Sequence, residues 1–264
     1  MNVTSGVPQG SIIGPCLFNV VISDLKLPTY STSLLMKFAD DITHLSQLTK
    51  GSENKHILAE HNQITQWSEI TELKLNAAKS KTLNIITSST VSGTRLPGIP
   101  VVNELKLLGV TLSSDASWNH HIDNIVSLSS RRLYALRVIK PFVDHATLIH
   151  IYSSTVRSLL EYCSPLFVGI NEQQSSKLNK LQRRAHAIIC GQNCVSECLP
   201  SLDFRRKRAA KKLVLHALQE NHVLHNLLPR ISKSHRNGVR FLNDACKTNR
   251  RLNSCIPFSC TNLF

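Results

Sequence analysis

The rhythm of hydrophobic and polar positions changes once along this chain, near residue 113. Before that point apolar residues come in short runs between Gly, Pro, Ser, Asn and Asp. Residues 33–37 and 42–45 predict two strands joined by a tight turn at Phe38-Ala39-Asp40-Asp41. Residues 16–25 follow Pro15, a suitable first-turn residue for a helix, although the run Val20-Val21-Ile22 leaves a strand open. Ile57, Ile64, Trp67, Ile70 and Leu73 recur at helical spacing, with Ser52 as a candidate cap. Residues 75–81 read as a turn with two lysines, and 82–87 as a strand. A loop rich in Ser, Gly and Pro follows to Pro100. Residues 101–112 then predict two further short strands, broken near Asn103-Glu104 and carrying Leu107-Leu108-Gly109-Val110.

After residue 113 strand alternation gives way to helical spacing. Ile122, Ile125, Leu128, Leu133, Leu136 and Ile139 form one run, ended by Pro141. A second starts at Asp144 or His145 and carries Leu148, Ile151, Tyr152, Val156, Leu159 and Leu160. A third covers about 175–189 and a fourth about 204–219. The final stretch is polar and basic and predicts little regular structure. The class expected is α+β, with a mixed part to residue 113 and an all-helical part beyond it.

Charge sharpens this division. The 264 residues hold 31 Lys and Arg against 17 Asp and Glu, a formal net charge of +14. To residue 113 the balance is 9 against 8; beyond it, 22 against 9. A neutral half beside a strongly basic one suggests a polyanion, either nucleic acid or an anionic membrane surface, with a merely soluble basic surface as the third reading. The first residues lack a basic and an apolar signal region, and no apolar run reaches the ~18 residues of a membrane span. Without a secretory signal, the eight cysteines read as reduced thiols. Cys190, Cys194 and Cys198 are spaced unlike a standard zinc pair, and no suitably spaced His follows them.

Candidate chemistry centres on Asp40 and Asp41. Paired carboxylates at a hairpin tip offer hard oxygen ligands of the kind that suit Mg²⁺, although Asp also populates turns for local hydrogen bonding. Upstream, Gly6-Val7-Pro8-Gln9-Gly10-Ser11 is a stiff loop whose backbone can approach a ligand closely. Arg205-Arg206-Lys207-Arg208 with Lys211-Lys212 is the densest basic cluster, readable as a phosphate grip, a nuclear-localisation-like patch or a solvated face. Trp67 and Trp118 read as core or cap residues, and His120-His121 as a solvated helix start. His216, His222 and His225 match no metal-ligand spacing.

Gly6-Val7-Pro8-Gln9-Gly10-Ser11 followed by Phe38-Ala39-Asp40-Asp41 resembles the palm of a reverse transcriptase, most closely those of non-LTR, LINE-type, jockey-like retrotransposons. Further stretches match in order. Trp67 and Leu75-Asn76-Ala77-Ala78-Lys79-Ser80-Lys81-Thr82 resemble the unit after the metal hairpin, and Leu107-Leu108-Gly109-Val110 the primer-grip hairpin. Trp118-Asn119-His120-His121-Ile122 resembles the start of the thumb, Leu178 to Ile189 with Leu181-Gln182-Arg183-Arg184-Ala185 a later thumb or connection helix, and Arg251-Leu252-Asn253-Ser254-Cys255-Ile256-Pro257 the closing segment.

The resemblance implies a partial right-hand polymerase palm, an antiparallel sheet with helices over 1–113, then a helical thumb or connection over 114–200 and a basic helical tail over 201–264. It implies an RNA-directed DNA polymerase that transfers a nucleotide from a dNTP to a DNA primer on an RNA template, with two Mg²⁺. Asp40 and Asp41 are then the metal ligands, and Lys79 the charge stabiliser or proton donor. Pro8, Gln9, Gly10, Ser11, Phe38 and Ala39 would border the dNTP and template. Leu108 and Gly109 would support the primer end. Arg131, Arg132, Arg183, Arg184, Arg205, Arg206, Lys207 and Arg208 would hold the nucleic-acid backbone. The expected setting is intracellular, in nucleus or cytoplasm, with no membrane contact.

One departure limits this expectation. Such a palm has a further metal-binding aspartate on an earlier strand, and only five residues precede the Gly6–Ser11 loop. The fingers of such a polymerase are likewise expected to lie outside this sequence. The chain is therefore expected to be the C-terminal part of a polymerase, inactive alone, with a missing N-terminal polymerase part as possible partner. The alternative is a non-catalytic nucleic-acid-binding remnant that uses the basic half.

Overall fold

The computed structural model describes residues 10–28, 33–48, 54–86, 91–191, 199–229, 231–234, 238–241 and 249–262. Helices and small sheets alternate, and the chain divides into two units: residues 1–105 with 113–116, and 106–112 with 117–264.

In the first unit the ambiguous run after Pro15 is a helix, α1 (Gly14–Ser23), with the proline in its first turn. Only Gly14 and Ile22 of α1 are buried, which is why periodicity alone did not separate helix from strand. Next come β1 (Leu34–Phe38) and β2 (Asp41–Leu45), antiparallel, with Leu34 opposite Leu45 and Phe38 opposite Asp41. Helix α2 (Lys55–Ile70) buries Ile57 and Ile64. The candidate cap Ser52 lies outside the described residues. Trp67 is half-buried there.

The strand expected over 82–87 is only two residues long, β3 (Thr82–Leu83). Asn84 explains the shortening: its side-chain amide donates to the Thr94 carbonyl at 3.0 Å and its carbonyl accepts the Thr94 N–H at 3.2 Å, turning the chain into a local loop. β3 pairs with β4 (Val101–Val102) in parallel. β5 (Glu104–Leu107) and β6 (Val110–Ser113) form a hairpin. The described residues thus hold separate two-stranded ladders, one of them parallel, where a single antiparallel sheet was expected.

The second unit is built on α3 (Asn119–Ile139), α4 (His145–Tyr152), α5 (Ser158–Glu161), α6 (Glu172–Cys190) and α7 (Leu202–Ala217). A π-helical turn, Ser153–Arg157, joins α4 to α5. Local chemistry sets the starts. Asp144 accepts the Thr147 N–H, Ser201 accepts the Phe204 N–H, and Asn171 with Gln174 forms a reciprocal capping box. One core holds these helices: Ile122, Leu133, Leu136, Tyr152, Val156, Leu160, Phe167, Leu178 and Leu202 are buried within it. Burial also pushes the Tyr152 hydroxyl up to about 12.

Two expectations fail in this unit. It is not all-helical: β7 (Ile231–Ser234) and β8 (Gly238–Phe241) form an antiparallel hairpin, followed by α8 (Asn249–Leu252) and α9 (Cys255–Asn262). Each strand is four residues long, too short to register as alternation against a polar background. Nor is His121 a solvated helix start. The helical phase that buries Ile122 and Ile125 turns it inward as well, against Trp118 and Phe167, with ring centroids 5.9 and 5.5 Å away.

Candidate functional site

In the first unit the β1–β2 register leaves a two-residue turn, Ala39-Asp40, with Asp41 opening β2. Ala39 has φ 49°, the positive sign that tight two-residue hairpin turns use. The turn presents Phe38, Asp40 and Asp41 outward, all exposed. Neither carboxylate makes an ion pair with another described residue. Their oxygens are the hard donors that Mg²⁺ takes, and Mg²⁺ is commonly held by one or two carboxylates plus substrate phosphates. The donor set fits that ion as a partial site. Among the described residues no group of three metal-ligating side chains forms.

Behind the tip the hairpin is fastened by contacts that sequence reasoning missed. Lys37 of β1 donates to the Ile22 and Leu25 carbonyls at 2.6 and 2.5 Å, closing the C-terminal end of α1. Burial, then the nearby Lys26 charge, lowers its pKa. On β2, His44 Nε2 lies 2.9 Å from Oε2 of the buried Glu60 on α2. The Ser33 hydroxyl donates to the same carboxylate at 2.7 Å. The only sequence signal for this network was an acid on the apolar face of α2.

Of the loop residues, Pro8 and Gln9 lie outside the described residues. Gly10 adopts φ 85° with open space where a Cβ would stand, so backbone conformation rather than crowding favours glycine there. The Ser11 hydroxyl accepts the Gly14 N–H at 2.9 Å. Lys79 is exposed on a turn closed by Asn76, whose Oδ1 and carbonyl both accept the Lys79 N–H at 3.1 Å. No hydrogen bond or ion pair among the described residues joins Lys79 to Asp40 or Asp41.

In the second unit Leu108 and Gly109 form the tip of the β5–β6 hairpin, with φ 46° and 85°. The Tyr162 hydroxyl donates to the Leu108 carbonyl at 2.7 Å, and the Thr111 N–H donates to His121 Nδ1 at 3.3 Å. Burial lowers the His121 pKa, consistent with a neutral ring that accepts at Nδ1.

The eight basic candidates separate. Arg131, Arg183, Arg184 and Arg208 are exposed. Lys207 is exposed but paired with Asp203 at 2.7 Å. Arg132 donates to the Thr155 carbonyl. Arg205 grips Glu161 through two nitrogens, and this pairing raises its pKa further. Arg206 is 1% exposed, with Ser175 and Asp203 as neighbours, and leaves the set of phosphate contacts because its guanidinium is inside the protein. In the zinc-like triplet, Cys190 Sγ stands 3.9 Å from His145 Nε2, while Cys194 and Cys198 lie outside the described residues.

Residues 1–112 match the reverse transcriptase (RNA-dependent DNA polymerase) family, which places that segment in the family. Within it the chain is jockey-like. It is 30% identical over 212 residues to the RNA-directed DNA polymerase from the mobile element jockey of Drosophila melanogaster, covering 72% of this chain and 22% of that protein. It is 32% identical over 136 residues to a probable RNA-directed DNA polymerase from the transposon X-element of the same fly, covering 47% and 14%. A third relative, from the transposon BS, is 29% identical over 149 residues, covering 50% and 16%. The chain thus spans 14% to 22% of the length of these relatives. No solved structure matches it. Among the described residues no helix is long and apolar enough to cross a membrane.

Proposed function

We propose that these residues are part of an RNA-directed DNA polymerase, supplying one side of its metal site and a basic surface for the template and primer. The observation that carries this reading is the exposed Asp40-Asp41 pair at a two-residue hairpin turn, inside the segment that matches the family. Asp40 is the direct Mg²⁺ ligand and Asp41 assists. When bound, a metal pair stabilises the attacking and leaving oxygens of the displacement and neutralises phosphate charge.

The chain's own groups do the rest. Lys79 offers an ammonium to the leaving pyrophosphate. Pro8, Gln9, Gly10, Ser11, Phe38 and Ala39 border the dNTP and template base. Leu108 and Gly109 support the primer terminus, and Arg131, Arg183, Arg184 and Arg208 hold phosphates through sequence-independent contacts. Residues 1–113 act as palm, 114–200 as thumb, and 201–264 as a basic tail.

On this reading the facing carboxylate is supplied by an upstream polymerase fragment, since Asp40 and Asp41 stand together on one hairpin. In primer extension with Mg²⁺ and dNTPs the chain alone gives no product. Co-expressed with an upstream polymerase fragment it extends the primer, and Asp40→Ala abolishes that product. Extension by the isolated chain would refute the incomplete-site reading. Salt-dependent binding, with no extension under either condition, would favour the non-catalytic remnant. The exposed Arg131, Arg183, Arg184 and Arg208 support that second reading, since phosphate binding by them needs no metal.

A further inference from the structure

Helix α3 turns Ile122, Ile125, Ser129, Leu133 and Leu136 into the core. At about 100° per residue, Arg131, Tyr134 and Val138 fall within an arc of roughly 60° on the opposite side, and Phe142 follows in the 3₁₀ turn Lys140–Phe142 that closes the helix. A surface helix ordinarily carries polar residues there. Here Tyr134 is 70% exposed, Val138 51% and Phe142 83%. Aromatic residues make up only 5% of the chain, so two bare rings eight residues apart are a concentrated feature. Exposed aromatic side chains of this kind, with cations beside them, suit a ligand that has flat apolar faces.

The surrounding charge selects the occupant. No acid occurs between Asp123 and Asp144, whereas Arg131, Arg132, Arg137 and Lys140 do. Both bounding acids are engaged: Asp123 with Lys177 at 2.5 Å, Asp144 with the Thr147 N–H at 2.7 Å. Arg132 and Lys140 turn to the Thr155 and Ile188 carbonyls. Arg131 and Arg137 remain exposed, in no ion pair with another described residue. Rings flanked by available cations, on a stretch without an available acid, suit a polyanion that has flat apolar faces.

We propose that this face of α3 is a track for single-stranded nucleic acid. Tyr134 and Phe142 stack on unpaired bases, and Arg131 and Arg137 hold the adjoining phosphates. The two rings are eight residues apart, about 13 Å along the helix and its closing 3₁₀ turn, or about four nucleotides at 3.4 Å each. A duplex keeps its base faces inside the stack and offers nothing to these rings. This inference deepens the nucleic-acid reading above and rests on it.

The test measures fluorescence anisotropy of the full 264-residue chain with labelled oligouridylate and with a blunt RNA–DNA hybrid. Tyr134→Ala with Phe142→Ala weakens oligouridylate binding by about tenfold or more and leaves hybrid affinity within about twofold. Tyr134→Phe with Phe142→Tyr keeps the rings and the affinity. Leucine at both positions keeps apolar surface without a π-face and behaves like alanine. Both side chains are exposed, so the variants melt like the unchanged chain, which circular dichroism checks. The track is overturned if the alanine variant binds as well as the unchanged chain, if leucine restores binding, or if the hybrid loses as much as the single strand. Should the unchanged chain bind neither probe, the basic-surface reading falls with it. Tight binding that ignores Tyr134 and Phe142 sinks the track alone.

Discussion

The Tyr162 hydroxyl donates a hydrogen bond to the Leu108 carbonyl at 2.7 Å, and its ring edge lies 3.3 Å from where a Cβ on Gly109 would stand. One side chain therefore fixes both residues of the hairpin tip. Leu108, at φ 46°, occupies a conformation that costs a non-glycine residue about 1 kcal/mol, and the hydrogen bond helps to hold it there.

Tyr162→Phe removes the bond and keeps the ring. It lowers Tm only slightly, because the hydroxyl is solvent-accessible and water replaces the lost partner. Gly109→Ala costs more, since it adds the strain of φ 85° to a tight approach to the ring. Combining Gly109→Ala with Tyr162→Ala relieves the crowding and leaves the strain. Thermal melts of these variants and of Tyr162→Ala separate the two effects. Strict additivity of Gly109→Ala and Tyr162→Ala would show that the ring does not crowd position 109.

Arginines that look alike in sequence differ in what they do. Arg183→Gln and Arg184→Gln weaken nucleic-acid binding across sequences, and each lowers the salt slope by about one if it frees one phosphate. Arg206→Met leaves the slope unchanged. The buried Arg206 side chain has Nε and one terminal nitrogen without hydrogen-bond partners, and burial lowers its pKa. Exchanging a buried charge for an apolar side chain of similar volume is then neutral or stabilising. A Tm drop of several degrees in Arg206→Met would show that the guanidinium is better satisfied than its neighbours indicate.

His121 predicts a pH dependence. Its folded pKa lies below the ordinary value of 6.5 because burial disfavours the charged ring. Between the folded and unfolded pKa values the unfolded chain binds more protons, so stability rises with pH there. The contribution is complete above the unfolded value and is lost as pH falls through the folded one. His61 in the first unit, lowered by burial and by His44, acts with the same sign. Urea unfolding followed from about pH 7.5 down to about pH 5.5 gives a falling midpoint. His121→Gln flattens part of that fall while lowering the plateau. An unchanged slope in His121→Gln would assign the effect elsewhere.

The hairpin at Phe38-Ala39-Asp40-Asp41 was legible because alternation and a two-residue turn are local signals. Helices α3, α4, α6 and α7 were legible through apolar spacing, and the start of α4 through Asp144, whereas the Asn171 capping box that starts α6 was not read. What escaped were contacts made across the chain. Nothing near Tyr162 points to a residue 54 positions earlier, nor anything near His44 to Glu60. The basic run 205–208 illustrates the same limit. Its composition announced charge, but helical phase decided that Arg206 faces inward and Arg208 outward.

The π turn at Ser153–Arg157 bears on how this segment tolerates changes in length. Such a turn holds one residue more than the α-helix it interrupts, and the Ser158 N–H reaches back to the Ser153 carbonyl across it. Deleting one residue inside it relaxes the stretch to ordinary α-helix, with the flanking segments still facing the same way. Deleting one residue within α4 instead rotates everything downstream by about 100°, carrying Tyr162 away from Leu108. A one-residue gap is therefore absorbed at this bulge and nowhere else along the α4–α5 rod.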